Sequence, residues 1–224
     1  MSVRLHVVVE GQSEETFVNR LLIPYLSRFE VWTDTRSVYT SSQGPYWIRG
    51  GMTSYERARR DVTHWLRQDS GPDVRLTTMF DFYGLPSDFP GLREATTRAT
   101  AQARVDLIED AFAADIDDRR FVPYLQVHEF EALIFADVES LSIPYPGPGR
   151  TKQIERLRAE LSKYDNPESI DLEDPPSKRI LERIPDYDKV SGGILAIEAI
   201  GLKRIRLACL HFNQWLTRLE TLSA

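Results

Sequence analysis

The chain has 224 residues and a mass of 25.8 kDa, so it is long enough to bury the core of one α/β domain. Its 42% hydrophobic and 28% charged residues are typical of globular proteins, and no apolar stretch approaches the roughly 20 residues of a membrane-spanning helix. The formal net charge of −6 argues against a broad basic face that would coat nucleic acid. It does not exclude an enzyme whose bound metal ions offset its acidic side chains.

The N-terminal residues and the cysteine content both bear on the compartment. The chain begins without the basic-then-apolar pattern of a secretory signal, so we expect a cytoplasmic protein. Its single cysteine, Cys209, excludes an internal disulfide and a cysteine-rich zinc site. The apolar neighbours Leu207, Ala208 and Leu210 favour a buried structural thiol over a nucleophile.

The first elements are read from hydrophobic periodicity. An apolar run predicts a strand over 3–10, and helical spacing predicts a helix over about 14–28 that Ser13 can cap. A second strand is predicted over 35–40, and the loop 41–51 follows it. The apolar positions of the first helix are Phe17, Leu21, Leu22 and Tyr25.

The middle of the chain continues the alternation of strands and helices. Thr53 and Glu56 fit the capping-box pattern at the start of a helix. The elements predicted from there are a helix to about 68, a strand over 75–81, a Pro/Gly loop over 83–92, a helix over about 95–114 and a strand over 121–127. The order β-α-β-α-β-α-β indicates a mainly parallel sheet flanked by helices.

The C-terminal third is predicted to be helical. The Pro/Gly run 144–150 breaks the chain, and 165–176 is an acidic connector that contains proline. Helices are predicted near 178–184, 190–200 and 202–220, the last with an apolar stripe of Ile205, Cys209, Phe212, Trp215, Leu216 and Leu219. We therefore expect a single domain over 1–224, with a core of about 1–140 and a helical annex of about 141–224.

Two predicted strands end on a carboxylate with a glycine close behind. Glu10 precedes Gly11, and Asp81 is followed by Gly84. Ligands of open parallel sheets bind beyond the carboxyl ends of the strands, so the two acids are expected to converge on one divalent cation. The alternatives are a helix cap for Glu10 and a turn-forming role for Asp81.

A third acid is expected at the same edge, in the segment after Val127. His128, Glu129 and Glu131 all follow the predicted strand. On a helix, residues two apart diverge, so only one of the two glutamates is expected to face the site, and Glu131 is preferred. His128 is either a further ligand or a hydrogen-bonded residue that fixes the turn.

The chain resembles the DUF4276 family over nearly its whole length. The resemblance depends on the order and joint presence of several motifs. They are Val9-Glu10-Gly11-Gln12-Ser13-Glu14-Glu15, Gly50-Gly51 with Ser54-Tyr55 and Arg59-Arg60-Asp61, Asp81-Phe82-Tyr83-Gly84-Leu85-Pro86 with Phe89-Pro90-Gly91, His128-Glu129-Phe130-Glu131-Ala132-Leu133, Pro176-Ser177-Lys178-Arg179, Tyr187 with Lys189, and Cys209-Leu210-His211-Phe212 with Trp215-Leu216.

The resemblance implies a Toprim-like fold related to OLD-type nucleases, similar to nuclease partners of AAA-type ATPases in bacterial anti-phage systems. Glu10 then stands where the Toprim acid ends the first strand, Glu14 matches a further acid of OLD-like members, and Asp81 matches the first acid of the usual Asp-x-Asp.

The sequence departs from that pattern at Tyr83, which occupies the position of the second aspartate. The departure removes an expected metal ligand. Glu131, Glu129 or, less directly, Asp88 is a possible replacement.

The hypothesis that follows is metal-assisted hydrolysis of DNA or RNA, with Mg²⁺ or Mn²⁺ held by Glu10 and Asp81 and assisted by Glu14 or Glu131. Oxygen ligands and few histidines favour these ions over zinc. Lys178, and after it Lys189, is the candidate for stabilising transition-state charge.

The rival hypothesis is a non-catalytic sensor or regulatory subunit that binds an AAA-type ATPase partner or a nucleotide. A nucleotidyl or phosphoryl transferase is disfavoured because the chain has no P-loop pattern. We expect nucleic acid as the substrate, an ATPase as a possible partner, no membrane association, and a homodimer as an open possibility.

Overall fold

A parallel sheet forms the centre of the computed structural model, which describes residues 2–37, 41–43, 46–48 and 52–223. The sheet has the strand order β2-β1-β5-β6, and β7 also pairs with β5; every pairing in it is parallel. The strands are β1 (Val3–Val9), β2 (Val31–Ser37), β3 (Ser41–Gln43), β4 (Tyr46–Ile48), β5 (Val74–Asp81), β6 (Phe121–Val122) and β7 (Leu125–Gln126), of which β3 and β4 form a separate antiparallel pair. The predicted α/β fold with a mainly parallel sheet is confirmed.

Helices flank this sheet and make up the C-terminal annex. They are α1 (Gln12–Phe17), α2 (Ile23–Leu26), α3 (Tyr55–Gln68), α4 (Leu92–Ala95), α5 (Ala101–Ile116), α6 (Arg150–Leu161), α7 (Pro176–Arg183), α8 (Ile194–Ala208) and α9 (Leu210–Glu220). A π-helical segment, Val18–Leu22, joins α1 to α2 without a break. Among the described residues, no helix combines the length and apolar character needed to cross a bilayer.

Several predicted boundaries were wrong. Strand β2 begins at Val31, four residues before the prediction, and residues 38–40 of the predicted strand lie outside the described residues. The predicted loop 41–51 contains β3 and β4, and its residues 44, 45 and 49–51 also lie outside them. The helix predicted over 95–114 is split into α4 and α5, because Thr100 caps a new helix through a 3.2 Å bond from the Ala103 amide. Helix α6 was not predicted.

The last strand is interrupted between β6 and β7. Pro123 has no amide hydrogen to give to a neighbouring strand. The amide of Tyr124 donates instead to Oγ1 of Thr78 at 3.0 Å, and the amide of Leu125 donates to Oε1 of Glu109 at 2.6 Å. Side chains of β5 and α5 thus accept two amide hydrogen bonds that backbone carbonyls would accept in a continuous strand pairing.

Both predicted helix caps were wrong. Gly11, not Ser13, is the N-cap of α1, since the backbone already turns at that residue and Ser13 lies buried inside the helix. Helix α3 starts one residue later than the capping box requires, with Ser54 as an N-cap whose side chain makes no capping bond. The carboxylate of Asp88 satisfies this helix end instead, because it accepts from the Tyr55 amide at 3.0 Å.

The segment after Val127 is helical, as predicted, but it is the 3-10 helix Phe130–Ala136. Further on, the predicted break between two annex helices is confirmed at Gly201, whose φ of 73° lies in the left-handed region that glycine favours. The chain breaks again at Cys209, whose thiol is fully buried as predicted. Burial raises the pKa of this thiol well above its usual range, which makes it unreactive.

One apolar core joins the sheet to the annex. The ring of Phe17 on α1 contacts Phe130 at 5.5 Å and Phe212 on α9 at 6.1 Å, both edge to face. Trp215 on α9 stacks on Tyr124 at 4.0 Å. Such aromatic contacts add to the free energy gained by burying their surface.

A buried hydrogen bond between α9 and the sheet gives a test of this packing. The indole Nε1 of Trp215 donates to Oγ1 of Thr77 at 2.9 Å, and Thr77 is fully buried. We expect Trp215→Phe to lower the free energy of unfolding by about 2–3 kcal/mol, because it removes this donor and leaves a small cavity. Urea unfolding of Trp215→Phe, Thr77→Val and the double variant measures the coupling. Strictly additive effects would contradict the hydrogen bond.

Candidate metal centre

The carboxyl ends of β1 and β5 bring two acids together. The strands are neighbours in parallel register, with Val9 opposite Met79, so Glu10 and Asp81 emerge at the same edge of the sheet. Oε2 of Glu10 accepts from the Asp81 amide at 3.4 Å, and its Oε1 accepts from the Met52 amide at 3.3 Å. The Glu10 carboxylate is therefore held across the end of the sheet by backbone donors.

The two oxygens of Asp81 have different partners. Oδ1 accepts from the Phe130 amide at 2.8 Å, at the start of the 3-10 helix after β7. Oδ2 lies 3.3 Å from Nζ of Lys189. One oxygen thus fixes the side chain, and the other faces a positive charge.

Two further acids face the same ammonium group. Oε2 of Glu131 lies 3.2 Å and Oε1 of Glu14 lies 3.6 Å from Nζ of Lys189. Both glutamate side chains are almost completely buried, so their charges face the ammonium away from solvent. Glu10, Glu14, Asp81 and Glu131 are called the acid cluster below.

Two glycines leave the space that the cluster occupies. A Cβ at Gly84 would lie 3.0 Å from Oε1 of Glu10, and a Cβ at Gly11 would lie 2.9 Å from Oε2 of Glu14. Real Cβ atoms are rarely this close to another heavy atom. The glycines that follow the two strands therefore allow the carboxylates to lie against the backbone.

The acid cluster concentrates negative charge in a buried place. Burial raises the pKa of Glu10, and it raises the pKa of Glu131 as well. Burial also raises the pKa of Asp81 well above its usual range, although the Lys189 ammonium opposes that shift. Burial lowers the pKa of Lys189, but the charges of Asp81, Glu131 and Glu14 outweigh it and raise that pKa overall.

The acid cluster offers the ligand type of a hard divalent cation. The donor atoms of the acid cluster are all carboxylate oxygens, which Mg²⁺ and Mn²⁺ prefer, and three of them surround one point at 3.2–3.6 Å. Metal–oxygen bonds of about 2.0–2.6 Å are shorter than these distances by about 1 Å, so the carboxylates would have to move inward to hold an ion in place of the ammonium.

The structure places other candidate residues elsewhere. Glu129 accepts from the Ser177 amide at 2.9 Å, at the start of α7, and so does not face Lys189. Lys178 pairs with Asp174 and with Glu182 on the surface of that helix. Asp88, as described above, binds the start of α3. The structure brings Glu14, Asp81, Glu131 and Lys189 together, with Glu10 beside Asp81.

Tyr83 and His128 form a pair of their own. The Tyr83 hydroxyl lies 2.9 Å from Nδ1 of His128, and the Tyr83 amide donates to the His128 carbonyl at 3.0 Å. Burial lowers the pKa of His128 to about 4, so the imidazole is neutral, and its φ of 66° marks a tight turn. These contacts match the turn-fixing role considered for His128, and they hold the Tyr83 side chain against that histidine.

Two groups at the site were missed by sequence reasoning. The Phe130 amide orients Asp81, and Tyr187 places its hydroxyl 3.5 Å from Oε1 of Glu131. The position of a backbone amide donor cannot be predicted from a sequence pattern. Tyr187 was named only as part of a motif with Lys189. Its spacing of two residues from that lysine was the one indication that it lies near the site.

The comparisons with known proteins give a family and one structural likeness. The family model described as "Domain of unknown function (DUF4276)" matches residues 9–220. No curated protein sequence matches the chain. Among solved structures, the chain is similar to the C-terminal region of the Xanthomonas campestris pv. campestris OLD protein, with 15% sequence identity, 96% of this chain and 97% of that chain covered, and a TM-score of 0.40.

Proposed function

Since the chain belongs to the DUF4276 family, a domain of unknown function, its activity has to follow from its own site, and we propose that it is a Mg²⁺- or Mn²⁺-dependent nuclease. Glu10, Glu14, Asp81 and Glu131 hold the ion, and the reaction is hydrolysis of a phosphodiester. The rival function is a non-catalytic sensor or regulatory subunit that binds an AAA-type ATPase partner or a nucleotide.

The observation that carries the proposal is the convergence of three buried carboxylates on the ammonium group of Lys189. Oε1 of Glu14 and Oε2 of Glu131 are both directed at the Lys189 ammonium. Gathering buried carboxylates around one point is unfavourable unless a positive charge offsets them, and such clusters are common at functional sites. A divalent cation would satisfy both oxygens and Oδ2 of Asp81 at once.

The bound ion supplies Lewis acidity, which polarises a phosphate and lowers the pKa of a water molecule. The protein groups prepare the site for this chemistry. The backbone amides of Met52 and Phe130 orient Glu10 and Asp81 before any ligand arrives. Preformed orientation of this kind avoids reorganisation during the reaction.

Lys189 has two successive roles in this proposal. Before the ion binds, its ammonium offsets the charge of the acid cluster. Its side chain is 38% exposed, and in this proposal it would turn toward solvent to make room for the ion. There it pairs with a phosphate oxygen and stabilises the charge of the transition state. Lys178, the alternative for this role, pairs with Asp174 and Glu182 on α7 and stays a candidate for contacts with the phosphate backbone of the substrate.

The biological setting is proposed from the family resemblance alone. The chain acts in the cytoplasm as an effector of a bacterial anti-phage system and is controlled by an AAA-type ATPase. A freely active nuclease would be toxic, so the isolated chain is expected to cut slowly.

A cleavage assay tests the proposed function. Labelled single-stranded DNA, double-stranded DNA and RNA are incubated with the purified chain in Mg²⁺, in Mn²⁺ and in EDTA. We expect slow cleavage that requires the divalent ion and that a Glu155→Gln control retains, since Glu155 is an exposed acid on α6. Metal binding without cleavage of any substrate would favour the regulatory function. No metal binding by calorimetry would contradict the proposed nuclease and leave the regulatory function standing.

A further inference from the structure

A second cluster of metal-ligating side chains lies where the annex meets α5. Gln102, Asp106 and Glu109 are spaced along one face of α5, and they meet His211 in the first turn of α9. The cluster shares no residue with the acid cluster. It includes a nitrogen ligand, which the acid cluster does not have.

His211 is held in one orientation. Its side chain is 6% exposed, and its ring stacks on Tyr124 with centroids 5.2 Å apart. Its backbone amide donates to Oε2 of Glu168 at 2.8 Å. The ring therefore has little freedom to turn.

Glu109 determines which ring nitrogen of His211 is available. Oε1 of Glu109 lies 2.9 Å from Nε2 of His211, and the same oxygen accepts from the Leu125 amide at 2.6 Å. A carboxylate next to Nε2 places the proton on that nitrogen and leaves the lone pair on Nδ1. Histidines that ligate a metal usually donate their other N–H to a carboxylate in this way.

Nδ1 of His211 and a carboxylate oxygen of Asp106 point at the same amide nitrogen. Nδ1 of His211 and Oδ1 of Asp106 lie 3.6 Å apart, and both lie close to the Gln102 amide nitrogen, at 2.9 and 3.1 Å. Ligands bonded to zinc at about 2.0–2.1 Å in a tetrahedral arrangement lie about 3.4 Å apart. The observed spacing is close to that edge, and rotation of the Gln102 amide would present its oxygen as a third ligand.

A pocket reaches two of these ligands, Asp106 and His211. Asp106, Glu109 and His211 line a pocket of about 160 Å³, and the Asp106 side chain is 55% exposed to solvent. Arg218 also lines the pocket, but it is an exposed residue whose charge water screens.

We propose that Nδ1 of His211 and Oδ1 of Asp106, with the amide oxygen of Gln102, bind a borderline transition metal ion such as Zn²⁺, while Glu109 orients the imidazole. Nitrogen and oxygen ligands together favour such an ion over Mg²⁺. The bound ion links α5 to α9 and so fastens the annex to the helical layer beside the sheet. The site stabilises the fold and takes no part in hydrolysis.

Zinc titration of the purified chain tests the proposal, with excess Mg²⁺ present to occupy the acid cluster. We expect one equivalent of Zn²⁺ to bind and to raise Tm by about 5–10 °C at a hundredfold excess over Kd. Asp106→Asn should weaken binding at least about 10-fold, whereas Asp110→Asn, an exposed aspartate on the same helix, should not. Co²⁺ in place of zinc should give the visible absorption of a low-coordinate site in the wild type and not in His211→Gln.

Three outcomes would overturn the proposal. The first is that the wild type binds no zinc. The second is that Asp106→Asn binds zinc as tightly as the wild type does. The third is that Asp81→Asn loses zinc binding while Asp106→Asn retains it, which would place the zinc in the acid cluster. If His211→Gln fails to fold, Asp106→Asn still decides, because its side chain is largely exposed and its replacement leaves the core intact. The proposed nuclease activity is not needed for any of these readouts.

Discussion

Asp81→Asn is expected to abolish binding of Mn²⁺ and to lower the rate of metal-dependent cleavage by about 10³-fold or more, which corresponds to about 4 kcal/mol of lost transition-state stabilisation. Asp81 ends β5 at the centre of the acid cluster. Its Oδ2 faces the point that the proposed ion occupies, and its Oδ1 is fixed by the Phe130 amide. An amide in its place keeps the size of the side chain but removes the charge that holds a hard cation.

The fold should survive this change, because the pKa of Asp81 is raised by burial and a neutral side chain removes that unfavourable charge. Calorimetry with Mn²⁺, the cleavage assay and circular dichroism measure the three effects on one preparation. Asp110→Asn is the matched control, since it makes the same chemical change at an exposed position. Glu10→Gln should behave like Asp81→Asn. Full metal binding by a folded Asp81→Asn variant would refute the assignment of the acid cluster as the metal centre.

Lys189→Met is expected to make the stability of the chain depend on divalent metal. Lys189 pairs with Glu14, Asp81 and Glu131, whose carboxylates are buried. Breaking a fully buried ion pair from one side costs about 3–5 kcal/mol; Lys189 is partly exposed, so we expect a loss of about 2 kcal/mol at neutral pH. Mg²⁺ should restore most of this loss, because it binds the folded state and replaces the missing charge.

The loss caused by Lys189→Met should shrink as the pH falls. The pKa values of Asp81 and Glu131 are already raised in the folded protein, and removing the ammonium raises them further. A carboxyl whose folded pKa lies above its unfolded value destabilises the fold when it is ionised, and the penalty disappears as the pH falls through the folded pKa. Urea unfolding at about pH 7.5 and about pH 5, with and without Mg²⁺, measures both effects.

Lys152→Met is the control for this prediction, because Lys152 is an exposed residue of α6. An equal loss of stability in both variants, or a loss that neither acid nor Mg²⁺ reduces, would show that Lys189 does not offset the charge of the acid cluster. The same variant separates binding from chemistry. We expect it to bind Mn²⁺ at least as tightly as the wild type and to cleave more slowly.

The sheet was predictable because its strands have strong local signals. Apolar runs that stop at Glu10 and Asp81 predicted both strands and the edge at which they end, and β1 and β5 proved to be neighbours. The reach of Lys189 to Asp81 was not predictable in the same way, because 108 residues separate them along the chain. No periodic pattern reports a contact between side chains so far apart.

The prediction for Glu129 and Glu131 was correct for the side chains but not for the type of helix. Helical spacing correctly indicated that the two side chains diverge, although the segment is a 3-10 helix rather than an α-helix. Lys178 in α7 was the first candidate for stabilising transition-state charge, ahead of Lys189. Its partners at i−4 and i+4 show an ordinary surface lysine instead. Local charge patterns thus describe exposed helix faces better than buried contacts.

The interrupted last strand changes what protects its backbone from solvent. The amides of Tyr124 and Leu125 are held by the side chains of Thr78 and Glu109 rather than by a neighbouring strand. Their hydrogens can exchange with deuterium only when those side chains release them, which does not require β5 and β7 to separate. The same Glu109 oxygen also holds His211, so slow exchange at Leu125 would report how firmly the annex is attached.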